Sequence, residues 1–323
     1  MTLLKEIKSP VSKELEQFNA YFKQSLRSEV YLLNLITNYV IRNKGKQMRP
    51  LLVFLSAKLT GSINDSTYDA ATLIELMHTA TLIHDDVVDD ASRRRGLLTL
   101  HKIWKNKIAV LIGDYLLSRG LLLAVKNKEY DLLEIVSSAV KEMSEGELLQ
   151  IEKSKRMDIN EVVYFDIIRK KTAALLASCA AAGAKSAGAD TETVLKLKSF
   201  GENLGIAFQI KDDILDYNGT KTGKNIGNDI KEKKITLPLL FSLKQAEEKE
   251  KRKIIRLLRQ KNKTDNTIHE IFDFVDKYKG IAYATKRMNE FIDKATAQIE
   301  DFKHSPYHKN LLDFVDFVVK RSK

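Results

Sequence analysis

The sequence predicts an all-α protein: four prolines and fourteen glycines are spread over 323 residues, and the long stretches between them are rich in Leu, Ala, Lys and Glu. Such stretches favour helices over many short strands. Apolar residues also recur at intervals of three and four at both ends of the chain, which is the spacing of a buried helix face. With 44% apolar and 30% charged residues, the composition is that of a folded globular protein.

Taken in order, Leu15, Phe18, Phe22 and Leu26 mark a first amphipathic helix. Residues 45–50 form a stop that also opens the next helix, placing Lys46 and Arg49 near a helix start, where backbone N–H groups favour anions. A second stop covers residues 60–66, a third covers 183–190, and a glycine-bearing loop covers 218–232 with glycines at 219, 223 and 227. Leu311, Leu312, Val315 and Val318 mark the last helix. None of the stops reads as an interdomain linker, and residues 1–323 read as one domain of roughly ten or more helices. There is no internal repeat of solenoid length.

The formal net charge of +11 suits nucleic acid, an anionic membrane surface or a phosphorylated substrate alike. The most basic run, KEKRKIIRLLRQKNK at 249–263, keeps Ile254, Ile255, Leu257 and Leu258 for one face and lacks the aromatic residues of a single-strand binder. It reads as a solvated helix face, not a nucleic-acid site. The lone Cys179 excludes an internal disulfide and reads as packing. The N-terminal residues have no apolar signal core and no apolar run reaches the roughly 18 residues of a membrane span, so the expected location is cytoplasmic.

One short pattern occurs twice. DDVVD at 85–89 returns as DDILD at 212–216. On a helix, Asp85 and Asp89 share a face with Asp86 about 100° round the axis, and Asp212, Asp213 and Asp216 repeat that geometry. Both follow apolar segments, where burial of uncompensated carboxylates would cost several kcal/mol. Mg²⁺ fits best, because it takes oxygen ligands and binds through one or two carboxylates together with substrate phosphates. Zinc is disfavoured by ligand type, and the loop of an EF-hand is missing.

Cations for a phosphate lie nearby in sequence: Lys46 and Arg49, Arg94 and Arg95 just after the first aspartates, Lys171 with the Thr172 hydroxyl, and Lys224 and Lys234 around the glycine-bearing loop. Arginine can grip phosphate oxygens bidentately. No Walker-type nucleotide loop is present.

These pieces, KGKQMRP, ELMHTATLIHDDVVDDASRRRG, LIGDYLL, RKKTAALL, FQIKDDILD and GKNIGNDIKEKKITLP, occur in an order that resembles the trans-polyprenyl diphosphate synthases, over about residues 44–238. The resemblance implies an isoprenoid-synthase helical bundle around a central cavity, usually a homodimer, that condenses isopentenyl diphosphate with an allylic prenyl diphosphate. It implies that Asp85, Asp86 and Asp89, with Asp212 and also Asp213 and Asp216, hold several Mg²⁺ ions on the allylic diphosphate. Arg94, Lys171, Thr172, Gln209 and Lys224 match the family's contacts to that diphosphate, with Lys234 a further candidate. Lys46, Arg49, His78 and Arg95 match its isopentenyl diphosphate site, where Gly45 lets the backbone approach.

Asp85, Asp86, Asp89, Arg94, Lys171 and Asp212 are thereby the candidate catalytic set. Departures are Lys44 for the first glycine of the usual Gly-Gly pair, Lys233 for a usual glycine, and Asn228 where an acidic residue is common. Counting back from Asp85, Thr81, Ala80, Met77 and Ile74 share roughly the cavity face. In the family, aromatic residues four or five before the first aspartate close the pocket, so Ala80 and Thr81, with Met77, point to a medium or long product, beyond fifteen carbons.

A terpene cyclase on the same fold is a rival, but it has no use for the isopentenyl diphosphate residues. A non-catalytic lipid-diphosphate-binding or regulatory subunit is another, although such partners lose aspartates from one motif. Transient membrane contact would help release a lipid product.

Overall fold

The computed structural model describes residues 3–42, 45–94, 96–156, 159–217 and 227–320. Helices α1 (Leu3–Lys8), α2 (Ser12–Ser25) and α3 (Tyr31–Arg42) lead into α4 (Met48–Thr60) and α5 (Asp65–Val88). A two-stranded antiparallel hairpin, β1 (Arg93–Arg94) and β2 (Leu97–Leu98), precedes α6 (Leu100–Lys126) and α7 (Tyr130–Arg156). Helix α8 (Glu161–Ile168) passes into a π-helical turn, Arg169–Ala173, and then α9 (Ala174–Ser186) and α10 (Thr191–Tyr217). After these come α11 (Asn228–Lys231), α12 (Leu237–Gln245), α13 (Glu248–Arg259), α14 (Asp265–Lys277), α15 (Gly280–Ile299) and α16 (His308–Lys320). The all-α class is as the sequence predicts, and the hairpin holds the only strands among the described residues.

The chain divides into two compact units, one of Met1–Val140, Leu176–Lys198 and Asp301–Asp313, the other of Lys141–Leu175, Ser199–Glu300 and Phe314–Lys323. Four of the crossing points fall inside α7, α9, α10 and α16 and none in a linker of turn-forming residues.

In the first unit the predicted stripe Leu15, Phe18, Phe22 and Leu26 is buried, with the Phe18 ring edge-on to Phe54 at 6.0 Å. Helix α5 packs along α6 and against α4. Small side chains Ala177, Ala180, Ala181, Ala182 and Ala184 let α9 sit deep in this unit. Cys179 lies among them, and burial pushes its thiol up to about 12, so it is packing and not a nucleophile at neutral pH.

In the second unit Tyr217, Ile230, Leu239, Leu258, Ile271 and Phe274 form the core. The basic run at 249–263 is carried largely by α13, which buries Ile254 and Leu258 and turns its lysines and arginines outward. This is the solvated face read from the sequence.

Helix α6 corrects one reading. An 18-residue window within it is apolar enough, by composition, to cross a membrane, and only 33% of that window is buried. Asp114 and Arg119 interrupt the apolar run and hide it from a search for unbroken stretches. Both charges are engaged, Asp114 with His84 at 3.5 Å and Arg119 through its Nε donating to the Ser25 carbonyl at 2.8 Å.

Candidate active site

In the first unit α5 is started firmly. Asn64 and Thr67 cap it reciprocally, the Thr67 N–H donating to Asn64 Oδ1 at 3.1 Å. The helix then delivers Asp85 and Asp86 to its last turn and Asp89 to its C-cap. A helix C-terminus carries partial negative charge, so three carboxylates there are held against the helix dipole and call for cations. Asp86 turns inward and is 7% exposed, whereas Asp85 and Asp89 face solvent. The hairpin register, Arg94 opposite Leu97, brings Arg94 back over Asp86. Its Nε and Nη2 both donate to Asp86 Oδ1 at 2.8 Å, which leaves other guanidinium N–H groups for a ligand.

Asp90 has a structural part here. It pairs with Lys102 at 2.7 Å, which holds its carboxyl below the usual range and ties the end of α5 to the start of α6.

A cavity of about 110 Å³ in this unit is lined by Glu75, His78, Thr79, Leu82, Asp86 and Arg94, among others. His78 and Arg94 therefore share a cavity. Lys46 is exposed in the segment before α4, and half-buried Arg49 sits in that helix's first turn, as the sequence placed them. Gly45 is half-buried beside them. Ile74, Met77 and Ala80 are buried along α5, and the hydroxyl of half-buried Thr81 donates to the His78 carbonyl at 2.8 Å.

In the second unit a cavity of about 250 Å³ is lined by Lys171, Thr172, Gln209, Asp212, Asp213 and Lys234, with Tyr164, Gln150 and Asp229. Lys171 and Thr172 stand in the π-turn, a deviation that is rare in helices and frequent at functional sites. The three aspartates of α10 are in three different situations. Asp212 is exposed. Asp213 is 4% exposed, with Oδ2 accepting from the Tyr164 hydroxyl at 2.7 Å and Oδ1 from Gln209 Nε2 at 3.0 Å. Asp216 accepts the backbone N–H groups of Asn228 and Asp229, both at 3.1 Å, and so caps α11.

Burial pushes Asp213 up to about 7 against the hydrogen bonds it accepts, with Asp229 and Asp212 adding to the rise. Burial likewise raises Asp229 to about 6, and raises Asp216. Burial therefore makes negative charge costly here, and the neighbouring carboxyls add to that cost. Lys234 meets part of it, pairing with Glu232 at 2.6 Å and Asp229 at 3.6 Å. Although burial works against its charge, these acids keep the Lys234 ammonium above its ordinary value. The Lys171 ammonium pairs with Glu147 and reaches Gln150 at 3.3 Å. Thr172 donates its hydroxyl hydrogen to Gln209 Oε1 at 2.9 Å, so a hydrogen bond from it to phosphate requires that it release Gln209.

All donors in both clusters are carboxylate oxygens, which suits Mg²⁺. Among the described residues no group of three or more His, Cys, Asp or Glu side chains closes on a metal unaided; phosphate oxygens and water would complete the shell, as is usual for this ion. Arg95 and Lys224 lie outside the described residues. Tyr164, Glu147, Gln150 and Asp229 were not anticipated. Asp229 adjoins Asn228, where an acidic residue was looked for, and the other three carry no motif.

The polyprenyl synthetase family model matches residues 30–275. Octaprenyl diphosphate synthase of Escherichia coli is 32% identical over 322 residues, which is 99% of each chain. A decaprenyl diphosphate synthase from Rhodobacter capsulatus shares the fold with a TM-score of 0.93 at 31% identity over 99% of both chains. A polyprenyl synthase from Caulobacter crescentus, crystallised with calcium and isoprenyl diphosphate, gives 0.90 at 33% identity over 99% of this chain and 98% of that one. A match of this length, on a chain whose two DDxxD segments each sit beside cations in a cavity, means that the protein belongs to the polyprenyl synthetase family of prenyltransferases.

Proposed function

We propose that this prenyltransferase condenses isopentenyl diphosphate with an allylic prenyl diphosphate, releases diphosphate, and makes an all-trans product longer than fifteen carbons. The observation that carries this reading is the second-unit cavity, where Asp212, Asp213 and Asp229 stand with Lys171 and Lys234. Acids and cations lining one cavity suit a metal-bound diphosphate better than either ligand alone. Bound Mg²⁺ would supply positive charge for the departing diphosphate.

In the first unit Asp85, Asp86 and Asp89 would offer carboxylate oxygens to Mg²⁺, and in the second Asp212 would do so, with Asp213 and Asp216 behind it. In the second unit Lys171 and Lys234 would take phosphate oxygens while Gln209 and Thr172 orient the allylic substrate, and in the first the remaining N–H groups of Arg94 are available to phosphate. Charge that develops on the leaving group is where fixed donors act most strongly. Lys46, Arg49 and His78, beside Gly45, hold isopentenyl diphosphate. Incubation with Mg²⁺, isopentenyl diphosphate and primers of several lengths should release diphosphate and yield chains beyond fifteen carbons. No release with any primer would refute the reading.

A homodimer is supported by α6, whose Val110, Leu111, Leu121, Leu122 and Val125 are each between 40% and 53% exposed along one face. Sedimentation should give twice the 36.8 kDa chain mass, and Leu122→Asp should shift it toward one chain; a monomeric wild-type protein rejects the dimer. The net charge of +11 further supports transient contact with an anionic membrane surface during release of a lipid product.

A further inference from the structure

We infer that Tyr164 is a positioning residue for the allylic half of the reaction, acting through Asp213 and Gln209 on Thr172. The inference rests on the prenyl transfer proposed above and adds to it a residue that never touches substrate.

The order of donors in this buried chain is determined from its inner end. Tyr164 gives its hydrogen to Asp213 Oδ2 at 2.7 Å, and the other carboxylate oxygen takes Gln209 Nε2 at 3.0 Å. In this arrangement both Asp213 oxygens accept. The Gln209 amide must therefore turn its nitrogen to Asp213 and its carbonyl to Thr172, which donates to it at 2.9 Å. One buried phenol thus sets the orientation of two groups that line the cavity. Remove its hydroxyl and Asp213 Oδ2 loses the donor that the structure gives it, the carboxylate can rotate, and the amide beyond it is no longer held one way round.

The backbone of the same segment is tightly seated. A Cβ on Gly146 of α7 would stand 2.7 Å from the Lys171 nitrogen, and one on Gly205 of α10 would stand 2.5 Å from the Ala173 Cα. Two helices therefore close on the π-turn at distances only glycine permits. With the turn held in this way and its side chain tethered through Gln209, Thr172 has little freedom. Positioning of that kind matters because a misplacement of about 1 Å can cost on the order of a hundredfold in rate.

The test is Tyr164→Phe in the full-length protein, with kinetics in Mg²⁺ measured separately against the allylic primer and against isopentenyl diphosphate. We expect kcat/KM for the primer to fall about tenfold or more while KM for isopentenyl diphosphate stays within about twofold, in a variant whose circular dichroism matches wild type. Gly146→Ala, which displaces the turn but removes no hydrogen-bonding group, should give the same primer-specific loss. Should Tyr164→Phe fail to fold, that second variant decides. An equal loss for both substrates, or a folded variant with wild-type primer kinetics, overturns the inference. A wild-type protein that turns over no primer removes the prenyl-transfer reading instead, and the inference with it.

Discussion

Asp212→Asn should lower kcat on the order of a hundred- to a thousandfold, the scale of losing one fixed electrostatic partner at a reacting centre, without loss of thermal stability. Asp212 is the exposed aspartate of its cluster, whereas Asp213 and Asp216 have both oxygens engaged by protein donors. Its charge also bears on its neighbours. Burial is the main cause that raises Asp213, Asp216 and Asp229, but Asp212 contributes to each. Neutralising it should leave the melting temperature unchanged or raise it. Diphosphate release and thermal melting on the same preparation check both signs, and a variant that keeps wild-type kcat would remove Asp212 from the metal site.

Ala80→Phe should shorten the product. Ala80 is fully buried on α5, so a benzyl group added there must displace its surroundings and narrow any prenyl channel along that face. Overpacking of this kind costs about 1–3 kcal/mol, a fall in melting temperature that the fold should survive. Chromatography of the dephosphorylated products reads chain length directly. An unchanged distribution would reject the assignment of Ala80, with Thr81 and Met77, to length control.

The helices and the two aspartate pairs were legible in the sequence because each depends on spacing alone. A stripe such as Leu15, Phe18, Phe22 and Leu26 has one outcome on a helix, and it is buried. Spacing also places Asp212 and Asp216 on one face, but it is silent on what meets that face. Asp216 caps α11 and Asp213 faces inward because Asn228, Asp229, Tyr164 and Gln209 come to them from elsewhere in the chain. Arg94 was placed near phosphate for its charge, while its grip on Asp86 depends on the hairpin that follows α5. Glu147 and Gln150 belong to an ordinary helical run, and only the structure brings them to Lys171.

The π-turn at Arg169–Ala173 makes this segment more sensitive to length than to composition. Its hydrogen bonds span one residue more than those of an α-helix. Deleting a single residue there would restore a regular helix and, because the wider turn takes up one extra residue, would leave α8 and α9 nearly in phase while re-aiming the side chains of the turn itself. Lys171 and Thr172 would be turned from their present directions while Tyr164 kept its place beside Asp213. Substitutions within the turn can be absorbed side chain by side chain, but a one-residue change in length redirects the turn that carries Lys171 and Thr172. Comparisons among homologous chains in this segment should therefore first ask whether the residue count is the same.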